Sequence, residues 1–241
     1  MRRLHRCNLP FETRTLLHRH SHAVTCSDQA RTQWARFRAT IGFKPIENAL
    51  VTMSGPRQRC AYCSDSHASD IDHFCPIALD HSRAFDWINM LWVCSRCNRI
   101  KGSRFPVNQL GEPLLVDPTS IDPWSKLTLD TRSGIISARY HDDVFDSMGD
   151  ATLEILPTIN YEAVTEGRLR VVRQLLHAFD EVTRNGDTSK GRERLATCVR
   201  EDDMGISRWF GFWDGQHEDS AMELKSSRPI LWRRFLRMCA D

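Results

Sequence analysis

The sequence predicts an α+β fold: a unit of two short strands and one short helix framed by cysteine pairs, a helical segment before it and a mixed, mainly helical extension after it. Three observations predict this. Cys60-Ala-Tyr-Cys63 and Cys94-Ser-Arg-Cys97 form two pairs with thirty residues between them. Two strand-like runs lie between the pairs and a short helical run follows the second, in the order strand, strand, helix. On either side, apolar residues recur at helical spacing. The divisions are residues 1–57, a basic helical N-terminal segment; 58–106, the cysteine-framed core; and 107–241, an extension suited to docking a partner.

The elements follow in chain order. Ser27 to Ile41 predicts a helix with Ser27 as its cap and Ala30, Trp34, Phe37 and Ile41 on one face, leaving Arg31, Arg36 and Arg38 off that stripe. Pro45 to Ser54 predicts a second helix, with Pro45 in the first turn and Gly55 at the stop. Ser69 to Phe74 and Met90 to Val93 predict two strands. A short helix begins near Cys97 and stops before Pro106. Leu127–Leu129 and Ile135–Tyr140 flank a Ser133-Gly134 turn, the pattern of a hairpin. Further helices are predicted over 160–183, with Leu169, Val172, Leu176 and Phe179 as its apolar stripe, over 189–200 and over 229–238. Trp209, Phe210, Phe212, Trp213 and Trp232 read either as core or as a partner surface.

Length and composition set the class. The chain has 241 residues, 41% hydrophobic and 27% charged, which excludes collagen-like, low-complexity and strongly disordered chains. No run approaches the roughly 20 apolar residues of a spanning helix, and the basic start has no apolar stretch behind it. The expectation is a cytoplasmic protein with no membrane partner. The net charge of +2 hides an asymmetry: residues 1–59 carry eleven Lys/Arg against three Asp/Glu. Such a segment suits a polyanion such as nucleic acid, or is a solvated arm.

Nine cysteines without secretory features argue against a disulfide framework. Cys60, Cys63, Cys94 and Cys97 instead have the spacing of a closed tetrahedral thiolate site, which suits a structural Zn²⁺, with an iron–sulfur cluster as the alternative and His67 as a substitute ligand. Cys7, Cys26, Cys75, Cys198 and Cys239 read as free buried thiols.

A second group is polar. Asp70-Ile71-Asp72-His73 lies between the pairs, and Asn98 and Lys101 follow the second. Phosphodiester cleavage needs a base for water, neutralised phosphate charge and a stabilised leaving oxygen. His73 offers the base, Asp72 and Asn98 offer oxygen ligands that Mg²⁺ or Mn²⁺ prefers, and Lys101 offers a point charge for the phosphate. Asp70 is a reserve acid on the face of Asp72. Adjacent strand residues point to opposite faces, so Asp72 and His73 converge only where the strand ends. Arg96, Arg99 and Arg104 read either as a nucleic-acid backbone track or as a solvated face.

Together, C-x-Y-C, D-x-D-H-x-x-P, Asn89 before an apolar strand, and C-x-x-C-N-x-x-K-G resemble the HNH endonuclease family and its ββα-metal fold, over about residues 58–106. The resemblance implies His73 as general base, Asp72 and Asn98 as ligands of a catalytic metal, and Asn89 as a brace for the loop that holds His73. Asn98 stands where many members carry His. The Asn form also occurs in active members, including the nuclease domain of RNA-guided DNA-cutting enzymes, so a preference for transition metals over Mg²⁺ is less expected. A further likeness covers most of the chain. Phe105-Pro106, Leu114 to Pro118, and the pattern from Ala151 through Asn160 to Arg168 resemble the HNH subunit of Septu-type anti-phage systems and their retron-linked relatives. That likeness implies bacterial origin, a defence role and an ABC-type ATPase partner. The expected function is cleavage of nucleic acid, DNA before RNA. The rivals are a catalytically silent zinc module that binds nucleic acid or protein, and an HNH nuclease acting on RNA such as tRNA.

Overall fold

The apolar spacing of the N-terminal third builds helices whose buried faces point at one β-hairpin. The computed structural model describes residues 1–240. Helix α1 (Phe11–His22) has no counterpart in the sequence pattern, because it buries only Thr13 and Leu17. Helix α2 (Ser27–Arg38) buries Ala30, Trp34 and Phe37. It stops before Ile41, which is 90% exposed. Ser27 is its first residue and not its cap; the hydroxyl donates to the Ile77 carbonyl. Helix α3 (Lys44–Met53) carries Pro45 in its first turn and buries Ile46, Leu50 and Met53. Gly55, at φ 78°, turns the chain away.

Strands β1 (Asp70–His73) and β2 (Met90–Val93) pair antiparallel, with Asp72 opposite Leu91 and His73 opposite Met90. All four residues of β2 are buried, because the hairpin is covered on both faces. Met90, Trp92 and Ile71 pack with Trp34, Phe37 and Leu50, whereas Leu91 and Val93 pack with Tyr62, Phe74 and the C-terminal part of the chain. Period-two alternation therefore sends Ile71 and His73 toward α2, and Asp70 and Asp72 toward the opposite side. Helix α4 (Ser95–Lys101) follows and ends at Gly102.

The rest is mostly helical, and the whole is a mixed α+β structure with small antiparallel sheets. Strands β3 (Leu127–Leu129) and β4 (Ile136–Ala138) form the expected hairpin, with Gly134 in the left-handed region at φ 72°. A smaller hairpin, β5 (Tyr140–His141) and β6 (Val144–Phe145), follows. Asp146 caps helix α5 (Ser147–Ile155) by accepting from the Met148 and Gly149 N–H groups. Helix α6 (Glu162–Asn185) is the long one, and its stripe runs through Val172, Leu175, Phe179 and Val182. Helices α7 (Ser189–Arg200), α8 (Ile206–Phe212), α9 (Asp219–Ser227) and α10 (Pro229–Ala240) complete the chain. Arg168 and Asn160 brace the β3–β4 hairpin against α6. Arg168 donates to the Gly134 and Ile159 carbonyls, and the Asn160 amide bonds both the N–H and the carbonyl of Ile136. Among the described residues, no helix is long and apolar enough to cross a membrane.

One sequence reading needs correction. The basic start is not a loose arm. Met1 and Leu4 are buried in the same cluster as Trp124 and Trp209. Arg2 donates to the Ser54 carbonyl, while Arg6 donates to the carbonyls of Trp87, Ile88 and Met90 and lies over the Trp87 ring. These guanidiniums are engaged with backbone carbonyls, which removes Arg2 and Arg6 as free contacts for a polyanion. Of the two readings of the aromatic tail, core holds: Trp209 is 2% exposed and Phe210 and Trp232 are also buried. Trp213 donates to Asp122, and Phe212 alone of the five is exposed. Trp209→Ala should therefore lower unfolding stability by about 3–5 kcal/mol, the range for deleting a large buried aromatic, as read by denaturant titration.

Candidate functional site

The first cysteine pair sits on a tight turn closed by an isolated bridge between Arg59 and His67. Cys60 donates its N–H to Ser66, and Ser64 donates back to Cys60. Ser64 holds a left-handed conformation at φ 60°. Ala61 donates to the Trp92 carbonyl, which fastens the turn to β2. The second pair opens α4: Cys94 is the N-cap, and its sulfur accepts from the Cys97 N–H at 3.4 Å. Thr158 reaches Cys97 Sγ at 3.1 Å.

The four sulfurs lie within 4.8 Å of one another and all four cysteines are buried. Zn–S bonds of about 2.3 Å would draw them to a mutual spacing of roughly 3.8 Å. Burial pushes the Cys60 thiol well up, while the neighbouring sulfurs pull the Cys63 thiol down. A buried set of this kind cannot carry four negative charges without a cation, which fits a metal such as zinc. His67 is exposed and lies outside the cluster.

The polar residues meet next to it. Asp72, His73 and Asn98 line one cleft of about 250 Å³, together with Ile71, Pro76, Ile77 and Arg31. Asp72 and His73 leave the strand on opposite sides, but β1 ends at His73 and both reach the cleft at that end. Larger cavities elsewhere contain none of these three polar residues.

Asp72 is held from both sides. Tyr62, the tyrosine of the first cysteine turn, donates to its Oδ2 at 2.5 Å, and Lys101 donates to its Oδ1 at 3.0 Å. Burial raises the Asp72 pKa, opposed by the Lys101 charge and the two hydrogen bonds. Asn98 donates its amide N–H to Asp70 Oδ2 at 3.3 Å. Among the described residues its Oδ1 accepts no hydrogen bond, which leaves that oxygen free for a ligand.

His73 packs edge-on against Trp34 with centroids 4.7 Å apart. Its Nε2 lies 2.8 Å from the Ala84 carbonyl. A carbonyl only accepts, so Nε2 carries the proton and Nδ1 carries the lone pair. Burial lowers the His73 pKa to about 4, so the ring is neutral at pH 7. The loop that supplies Ala84 is braced by Asn89. Its Oδ1 accepts from the Cys75 N–H, and its Nδ2 donates to the Cys75 and Arg83 carbonyls.

Lys101 departs from its sequence-based role. It is fully buried, and its ammonium donates to Asp72 and to the His73 carbonyl at 2.9 Å. It is absent from the cleft wall, so it cannot meet a phosphate there; it positions Asp72 instead. The arginine track is also largely spent. Arg96 lies 4.1 Å over the Tyr161 ring, and Arg104 donates to the carbonyls of Lys101, Ile100 and Ile155. Arg99 alone of the three remains exposed without such a contact. The sequence pattern also misses Arg31 as a wall residue, because α2 lies some forty residues upstream. The one available signal is its place beside the Trp34 stripe.

No family model matches the chain, and no curated protein matches it either.

Lys101→Met should strand a buried carboxylate and cost about 3–5 kcal/mol, the typical penalty for breaking a buried pair. Adding Asp72→Asn should restore much of the loss. Denaturant titration of the single and double variants measures this coupling. Metal analysis should find zinc bound to the wild-type chain, and Cys97→Ser should lose the metal and soluble protein together. A soluble Cys97→Ser chain that melts like wild type would remove the structural role of the cluster.

Proposed function

We propose that the chain is a metal-dependent HNH endonuclease that hydrolyses phosphodiester bonds of nucleic acid, DNA before RNA. The observation that carries this reading is the meeting of Asp72, His73 and Asn98 in one cleft. The cysteine cluster, a β-hairpin and a short helix frame that cleft, in the order the family resemblance implies.

The roles follow from the bonds. His73 Nδ1 is the nitrogen able to take a proton from attacking water, since Nε2–H is committed to Ala84. Its neutral state at pH 7 leaves that lone pair available. Asn89 holds the loop that sets this tautomer, so it acts through position. Asp72 and the free Asn98 oxygen fit a hard divalent ion such as Mg²⁺ or Mn²⁺, which when bound would neutralise charge on the phosphate and the leaving oxygen. Tyr62 and Lys101 hold the Asp72 carboxylate in place, as outer partners of a ligating carboxylate do. The zinc cluster keeps the scaffold and takes no part in the chemistry.

The likeness of the full chain to the HNH subunit of Septu-type systems supports a bacterial defence role with an ABC-type ATPase. Exposed Tyr140, Val144 and Phe145 on the β5–β6 hairpin give the extension an apolar surface for such a partner. Co-purification of the two chains tests this.

One observation favours a second reading. Both Asp72 oxygens already accept hydrogen bonds, and Lys101 is withdrawn from the cleft, as in a catalytically silent zinc module that binds nucleic acid or protein. Incubation with plasmid, linear DNA and total RNA, in Mg²⁺ or in EDTA, separates the two. His73→Ala should lower cleavage by about 10²–10⁴-fold with zinc content unchanged. Asp72→Ala and Asn98→Ala should also inactivate while keeping zinc. Cleavage by His73→Ala near the wild-type rate would rule out its role as base.

A further inference from the structure

We propose that Arg31 is the substrate-binding cation of the cleft, holding a phosphate of the nucleic-acid backbone beside Asp72, His73 and Asn98. This rests on the nuclease reading. Arg and Lys side chains, alongside a metal, are the usual clamps on a phosphoryl group. The residue best placed by the motif, Lys101, is buried and spent on Asp72 and the His73 carbonyl. Arg104 and Arg96 are committed to carbonyls and to Tyr161. Among the described residues, Arg31 is the only lysine or arginine on the cleft wall.

Its surroundings suit the task. The one ion pair of Arg31 is with Asp28 at 3.6 Å, and the side chains are 56% and 94% exposed. Such a pair is weak and gives way to a better anion. The helix beneath it is fixed to the cleft at two points. Trp34 packs on the His73 ring, and Ser27 donates to Ile77, itself a wall residue. The guanidinium therefore projects from a rigid element, with its donors free for two phosphate oxygens. Helix α2 lies outside residues 58–106, so the cleft is completed by a segment beyond the cysteine-framed unit.

The test compares Arg31→Ala, Arg31→Lys and Asp28→Ala in the full zinc-loaded chain, with wild type. Steady-state cleavage of linear DNA in Mg²⁺ is one readout. The other is anisotropy of a labelled DNA duplex bound by the same changes in a His73→Ala background, across a salt series. Arg31→Ala should lower kcat/KM and weaken DNA binding by about 10–100-fold, as for loss of a charged hydrogen bond. It should also flatten the salt slope by about 0.9, the share of one phosphate contact. Arg31→Lys should fall between, because it keeps the charge and loses the fork. Asp28→Ala should bind DNA as well as wild type or better. Unchanged melting of Arg31→Ala excludes a folding cause. Cleavage, binding and salt slope all unaltered in Arg31→Ala overturn the proposal. If the wild type cuts no nucleic acid, the nuclease reading fails, and the anisotropy series decides for Arg31: binding that ignores Arg31→Ala, or no binding at all, overturns it.

Discussion

The buried contact between Lys101 and Asp72 is the constraint on which the rest depends. A lysine ammonium with no solvent exposure is costly unless its charge is matched and its hydrogens are used. Here Asp72 matches the charge, and the His73 carbonyl takes a second hydrogen. Tyr62 completes the carboxylate from the other side. These three side chains come from the first cysteine turn, strand β1 and helix α4. The cysteine cluster ties together the same turn and the same helix. Cluster and cleft thus share one frame, and neither can shift without straining a buried polar bond.

Much of this was legible in the sequence, because it depends on spacing. Cysteine pairs predict a convergent site, and alternation and helical periodicity predict β1, β2, the β3–β4 hairpin and helices α2, α3, α6, α7 and α10. What the sequence did not show follows from tertiary placement. Helices α1, α5, α8 and α9 are short or weakly patterned. Trp209 sits in an aromatic run that reads as core or as partner surface, and packing against Trp124 and Phe210 decides for core. Lys101 carries the spacing of a phosphate-facing residue, but the helix turns it inward. Arg31 has the opposite history, since nothing local to it points at a cleft.

Part of the positive charge in this chain is engaged inside the fold. Arg2, Arg6, Arg104 and Arg168 all donate to backbone carbonyls. Arg168 shows the cost: burial lowers its pKa to about 10 despite the nearby Cys63 and Asp65. A residue count alone overstates the charge offered to solvent, since Arg2 and Arg6 of the basic N-terminal segment are held against the fold, while Arg31 remains exposed.

The position of the cysteine pairs has a consequence for the unfolded chain. The thirty residues between Cys63 and Cys94 contain the hairpin, Asn89, and both Asp72 and His73 of the cleft. An ion gripped by all four sulfurs would close that stretch into a ring. A ring has fewer disordered conformations to lose, and by the loop-closure relation a ring of this size is favoured by about 3–4 kcal/mol over an open chain. Asp72 and His73, which are costly to bury, thus lie inside the segment whose entropy such an ion would reduce. Added length in the ring would cost little entropy at the exposed Leu79, whereas the same insertion beside Asn89 would break the brace on His73.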